Sequence, residues 1–552
     1  CRLRGPMSQL TVDQKNIRTL LQDEDADFLI PDYQRPYAWG EDECSTLWDD
    51  LFAFAFPNNA SDRFDKRNDY FLGPIVTFKN DEGQQEIIDD IAACIWKSDD
   101  YGNLDMTEEG LKIKSEVASD NDKGEFLQIL RDGKANPAWK SSYAKNFRYF
   151  QGRIAELAEN YDGYSAPFAS RIMRHVILLP IEAGSQDTAL RIFSTLNDRG
   201  LPLSDADIFK SQLYKHFSSE GRKDDFVTRW KAMEEGANDL LHPLRGTPMD
   251  ELFTRYMYYR RALMGTTDTT TESLRGFYAR DKYSILREDG TLDDLESLLR
   301  FWQRVETGDG FSDAVNRRFA ILRFAPNGMW YYLISVWFLA RRDGSDNLDD
   351  EGLVRPLDLT IAFVWYYAIE RPGVNSLRTP MFPEMVNIVN GTDVSFSNYR
   401  FGREDVIARI RAFQFTNQRA ITRSMLAWWA YHDPAQELWD NETVLEVEHI
   451  YARKRAEVEP LRDRSNLEAL GNKALLEKRV NIRAADYRLS DKRKYYEGFA
   501  DGNGRTREGT KNVELLGIVR SKADFIEADI VDRTNDIIGS FVDFMDSNGL
   551  IG

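Results

Sequence analysis

Residues 444–450 read Val444-Leu445-Glu446-Val447-Glu448-His449-Ile450, and Leu470-Gly471-Asn472-Lys473 and Asn481 follow. Asn472 lies 23 residues and Asn481 32 residues after His449. Val444 to Val447 is β-prone, and the spacing lets a strand–loop–helix hairpin fold both asparagines back beside the histidine. Histidine is scarce, five in 552 residues, so one placed directly after a carboxylate at a strand end stands out. An imidazole that titrates near neutrality takes a proton from water. A carboxylate and an amide oxygen hold a hard divalent cation against a phosphate. Taken alone, a Glu-His pair is more often a surface ion pair or a satisfied, partly buried histidine.

The surround is basic. Residues 450–494 hold thirteen Lys/Arg against seven Asp/Glu, +6 locally in a chain of net charge −19. Such an island suits a polyanionic substrate; a solvated basic face is the plainer alternative. Glu448, His449, Asn472 and Asn481 together resemble an HNH nuclease site of the ββα-metal kind. That resemblance implies His449 as general base and Asn472 as the residue orienting its loop. Glu448 and Asn481 would hold Mg²⁺ or Mn²⁺. Arg453, Lys454, Lys473 and Lys492 are the expected DNA contacts.

Composition sets the outer limits. A chain of 552 residues, 42% hydrophobic and 12% aromatic, fills several real cores and is not disordered. A net charge of −19 excludes a protein that coats nucleic acid with its whole surface, but allows one cleft of contacts. Cys1, Cys44 and Cys94 show no metal-type spacing and build no disulfide framework, which suits a reducing, cytoplasmic setting. The longest apolar run, Gly328 to Ala340, is too short to span a bilayer and reads as a buried helix. The first residues lack the apolar core of a signal peptide, and Gly5-Pro6-Met7 resembles a cloning remnant.

Three regions follow. From about 11 to 217, strands and helices mix: Phe28-Leu29-Ile30 and Arg174 to Leu179 read as buried strands. Asp187 to Asn197 reads as a helix, and Ser204 with Asp207 forms a capping box opening another through Ile208, Leu213 and Tyr214. From 218 to 430 nearly everything reads as helix, with aromatic stripes at Trp330–Ala340 and Leu359–Ile369 that read as core. From 431 to 552 come the strand and loop of the histidine motif and then helices such as Ala523 to Met545.

The first region carries a second resemblance. Ile30-Pro31-Asp32-Tyr33-Gln34-Arg35-Pro36-Tyr37-Ala38-Trp39 is followed by Tyr70-Phe71-Leu72-Gly73-Pro74-Ile75-Val76 and later by Ile192 to Ser204, which contains Asn197-Asp198-Arg199-Gly200. These are similar to the N-terminal domain of the GmrSD-type, modification-dependent (Type IV) restriction endonucleases, with SspE and BrxU as relatives. Leu470 to Glu477, Asn481, Lys492 and Tyr495-Tyr496 are similar to that family's C-terminal HNH domain. The resemblance implies an α+β, predominantly helical chain. Residues 11–217 would be a ParB/sulfiredoxin-like domain that senses DNA modification and binds and hydrolyses a nucleoside triphosphate. Residues 218–430 would be a helical connector, and 431–552 an HNH endonuclease domain with C-terminal helices.

Tyr33, Gln34, Arg35, Asp89, Asn197 and Arg199 are the expected nucleotide residues. Arg35 suits phosphate and Gln34 can donate and accept beside it. The rings of Tyr33, Tyr37 and Trp39 either stack on a base or anchor the loop on the core. Asn197 and Arg199 either complete the pocket or cap a helix. Two departures stand out. The family's Asp-Gly-Gln-Gln-Arg sequence is replaced after Asp89 by Asp90-Ile91-Ala92-Ala93-Cys94, so the motif is lost or a stretch is missing there. Ala452 stands where relatives often carry proline.

The expected function is a modification-dependent DNA endonuclease of anti-phage defence, acting on modified double-stranded DNA. The alternatives are a nucleotide-gated DNA-binding sensor without cleavage and a non-specific nuclease toxin. No membrane is expected as partner, and homo-oligomerisation stays open.

Overall fold

The computed structural model describes residues 11–12, 14–22, 28–30, 37–77, 94–97, 104–107, 109–115, 117, 122–161, 163–182, 204–270, 272–373, 375–485, 488–500, 502 and 504–552. They are predominantly helical with small sheets. No helix among them is long and apolar enough to cross a membrane. The chain divides into two compact units, 1–251 with 278–291, and 252–277 with 292–552. Most of the expected connector packs in one unit with the C-terminal region.

The first unit is built round β6 (Val176–Glu182). Strands β1 (Thr11–Val12) and β2 (Lys15–Asn16) pair antiparallel with it, and β4 (Tyr70–Thr77) runs parallel to it. A separate parallel pair joins β3 (Phe28–Ile30) to β5 (Ile113–Ser115). The strand expected from Arg174 starts later, because Arg174 and His175 close the helix Ser165–His175. Their positive charge belongs at a helix C-terminus, and His175 Nδ1 lies 3.2 Å from Asp69. Trp48, Phe56 and Leu157 bury an aromatic core shared by the helices Glu41–Ala55, Ser142–Asn160 and Ser165–His175. Tyr37 stacks on Tyr143, and Asn146 Nδ2 donates to both Tyr37 Oη and the Trp39 carbonyl, so this stretch anchors on a helix. The Ser204–Asp207 box forms reciprocally at the start of Asp205–Ser219. The helix expected over Asp187 to Asn197 lies outside the described residues.

The second unit packs long apolar helices against the histidine motif. Met329–Arg341 is buried on nearly every side, and Asp350–Glu370 buries Phe363, Trp365 and Tyr366. The aromatic stripes are core, as Trp302 Nε1 donating to Ser335 Oγ and Phe363 stacking on Phe396 illustrate. The last long helix begins at Glu527 rather than Ala523. Asp524 is drawn into a two-pronged contact with Arg455, Phe525 enters the core, and Asp529 caps the Ile526 amide. Gly471 rests against this helix. A Cβ there would meet the Ile530 carbonyl at 2.1 Å and the Thr534 amide at 2.6 Å.

Backbone does not yield as a flexible side-chain end would. Gly471→Ala should therefore destabilise the second unit by about 1–3 kcal/mol, the usual cost of overpacking. Thermal denaturation of the full chain checks this. An unchanged Tm would mean that the loop stands off the helix.

Candidate active site

Strands β7 (Leu445–His449) and β8 (Lys473–Glu477) form a two-stranded antiparallel hairpin, pairing Leu445 with Glu477 at one end and His449 with Lys473 at the other. The helix Lys478–Ala484 follows at once and packs on both strands. Residues two apart on a strand share a face. Glu446 and Glu448 therefore point one way, and Leu445, Val447 and His449 the other.

On the first face, Asn481 Nδ2 donates to Glu446 Oε2 at 2.8 Å. Glu448 is buried. Its Oε1 accepts from Lys492 Nζ at 2.5 Å and from Tyr496 Oη at 2.8 Å, both from the helix Leu489–Glu497. Lys492 also grips the His449 carbonyl at 2.8 Å. Burial and the Glu448 charge push the Tyr496 phenol well above its usual range. The expected cation pair, Glu448 with Asn481, is thus not what these contacts assemble. Asn481 meets Glu446, and Glu448 already has an ammonium partner.

The opposite face carries His449, only 7% exposed. Lys473, 0% exposed, donates to Asn417 Oδ1 at 2.9 Å, to Glu468 Oε2 at 2.5 Å and to the Phe415 carbonyl. Arg453 reaches Glu468 Oε1 at 2.7 Å, and His449 Nε2 lies 3.4 Å from the same oxygen without making a hydrogen bond. Burial first, and then the Lys473 charge, lower the His449 pKa to about 4. Burial alone would raise the Glu468 carboxyl. The hydrogen bond and charge of Lys473, with His449 and Arg453 adding, hold it below the usual carboxylate range instead.

Asn472 is fully buried and stitches the chain after His449 to the loop before β8. Its Oδ1 accepts from Tyr451 N at 2.7 Å, and its Nδ2 donates to the Tyr451 and Leu467 carbonyls at 3.2 and 2.9 Å. Arg533 holds that loop from beneath, donating to the carbonyls of Leu470, Gly471 and Lys473 and forking onto Glu514.

Of the four expected DNA contacts, two face inward. Lys473 and Lys492 are interior, with ammonium groups spent on protein acceptors: Lys492 on the buried Glu448 and Lys473 on the half-buried Glu468. Arg453 and Lys454 are exposed. Tyr33, Gln34, Arg35, Asp89, Asn197 and Arg199 lie outside the described residues. Sequence reasoning passed over Glu446 and Glu468. Strand alternation could have found the first, since it shares a face with Glu448. Nothing local marks the second. Among the described residues, one His/Asp/Glu group has ligand atoms close enough for a metal: His216, Glu220 and Asp289, half-buried to exposed in the first unit.

A family model described as GmrSD restriction endonuclease, N-terminal domain, matches residues 17–214, and one described as GmrSD restriction endonucleases, C-terminal domain, matches residues 402–540. Together they take in more than half of the chain. No curated protein matches it.

The lowered His449 pKa has a signed consequence. Between about pH 4 and the ordinary value of 6.5, the folded chain binds fewer protons at this imidazole than the unfolded chain does. The stability it contributes is fully present above pH 6.5 and is lost as pH falls towards about 4. In a proton NMR titration of the chain, the His449 resonance should stay still from pH 8 to about 5.5. A midpoint near 6.5 would show that the imidazole is solvated.

Proposed function

The chain belongs to the GmrSD restriction endonuclease family, and from that premise we propose that its C-terminal hairpin is an HNH-type centre cutting modified double-stranded DNA. Family membership makes the chain a restriction-type endonuclease acting on DNA. One observation supports this location for the chemistry. His449 ends the first strand of an antiparallel hairpin, the wholly buried Asn472 clamps the backbone after it, and Asn481 rises from the helix packed on the same hairpin.

His449 is uncharged at neutral pH and is the base. It takes a proton from water, the oxygen adds to phosphorus, the bond to the 3′ oxygen breaks, and that oxygen leaves with a proton from solvent. Glu446 and Asn481 carry the oxygen donors that a hard cation takes and are half-buried rather than sealed; they meet through the Asn481 amide nitrogen at 2.8 Å and stand on the face opposite His449, so a phosphate served by both would lie across the edge of the hairpin. These two residues would hold Mg²⁺ or Mn²⁺, which when bound stabilises charge on the leaving oxygen. Glu448 is then a structural anion for Lys492. The exposed Arg453 and Lys454 meet the DNA backbone.

The N-terminal domain, on this reading, binds and hydrolyses a nucleoside triphosphate through Tyr33, Gln34, Arg35, Asp89, Asn197 and Arg199 and so controls cleavage. Glucosylated hydroxymethylcytosine and phosphorothioate are the modifications to test, and defence against phage is the setting.

A cleavage assay on unmodified, glucosylated and phosphorothioate DNA, with and without each triphosphate and divalent ion, tests the reading. His449→Ala should lower the rate by about 10²–10⁴ with folding intact, and near-normal cutting would remove His449 from the mechanism. Glu446→Ala should raise the Mn²⁺ concentration needed for half-maximal cleavage while leaving Tm nearly unchanged. Glu448→Ala should instead lower stability by about 3–5 kcal/mol, because it strands a buried ammonium. The reverse pattern would return the cation to Glu448.

A further inference from the structure

We infer that Glu468 is a positioning residue for the general base: its carboxylate takes the His449 Nε2 proton as a hydrogen bond and leaves Nδ1 to accept a proton from water. This rests on the reading of His449 as the base. His449 Nε2 is buried without a hydrogen-bond partner, and Glu468 Oε1 stands 3.4 Å from it. Glu468 is itself held in place. Lys473 binds Oε2 at 2.5 Å and Arg453 binds Oε1 at 2.7 Å. Lys473 is opposite His449 in the hairpin register, so carboxylate and imidazole are brought together by one pair of backbone positions.

A neutral imidazole has one N–H and one lone pair, whereas an ionised carboxylate only accepts. A fixed anion beside Nε2 therefore favours the proton there and the lone pair on Nδ1. Catalytic hydrogen bonds are often long before substrate binds and tighten in the complex, which suits a 3.4 Å approach. When water gives its proton to Nδ1, the ring becomes a cation with Glu468 already facing it. Lys473 and Arg453 keep that carboxylate ionised, so it orients the ring without taking the proton away.

The test uses the full chain labelled with ¹⁵N-histidine. The His449 signals, assigned by their loss in His449→Ala, should report the Nε2–H tautomer at pH 7.5. Glu468→Gln should mix the tautomers and lower kcat about 10- to 100-fold, with KM unchanged on whichever of the glucosylated or phosphorothioate DNAs the wild-type chain cuts. Glu468→Asp should restore part of kcat. An Nδ1–H tautomer in the wild-type chain overturns the inference and needs no variant to fold. Wild-type kcat in Glu468→Gln beside an inactive His449→Ala overturns the inference alone. Wild-type cutting by His449→Ala overturns the base reading and the inference with it.

Discussion

The hairpin end hangs on one guanidinium. Arg533 is buried and spends its donors on the carbonyls of Leu470, Gly471 and Lys473 and on the Glu514 carboxylate. It thereby ties the helix Glu527–Ser547 and the helix Val513–Ser521 to the loop that delivers Asn472 and Lys473. Arginine suits this task, because a rigid fork with five N–H groups satisfies a carboxylate and several carbonyls at once. Gly471 complements it, since only a residue without Cβ lets the loop come this near the helix backbone. Asn472 then passes the constraint on to Tyr451 and so to the chain just after His449.

Charge is distributed less simply than a count along the chain implies. The +6 of residues 450–494 includes Lys473 and Lys492, which face inward. Each ammonium has lost its water and recovers that cost through a carboxylate and a carbonyl, Glu468 with Phe415 for one, Glu448 with His449 for the other. Exposed cations remain, among them Arg453, Lys478 and Arg479, but each already faces an acid: Glu468, Glu446 and Glu508. A phosphate backbone meeting this face would compete with those acids, so binding would depend on salt through exchange within the protein as well as through released counterions.

Much of the architecture could be read from local chemistry. The β-prone run at 444–447 became β7, the Ser204 box opened its helix, and the aromatic runs went to the core, since propensity, capping and burial all act within a few residues. What the chain does not show locally depends on partners that are distant in sequence. Glu446 and Glu448 look alike in the chain, and only Lys492 and Tyr496, more than forty residues on, tell them apart. Glu468 gains meaning only when the register sets Lys473 opposite His449. The late start of the last helix likewise follows from Arg455 capturing Asp524 across 69 positions.

That dependence on distant partners bears on how the chain is made. During synthesis from the N-terminus, His449 leaves the ribosome well before Arg533. Until the helix carrying Arg533 has been made, the loop at 470–473 lacks the three carbonyl contacts that this side chain supplies. A nascent chain therefore carries every residue of the hairpin before it carries the guanidinium that holds the loop beside it.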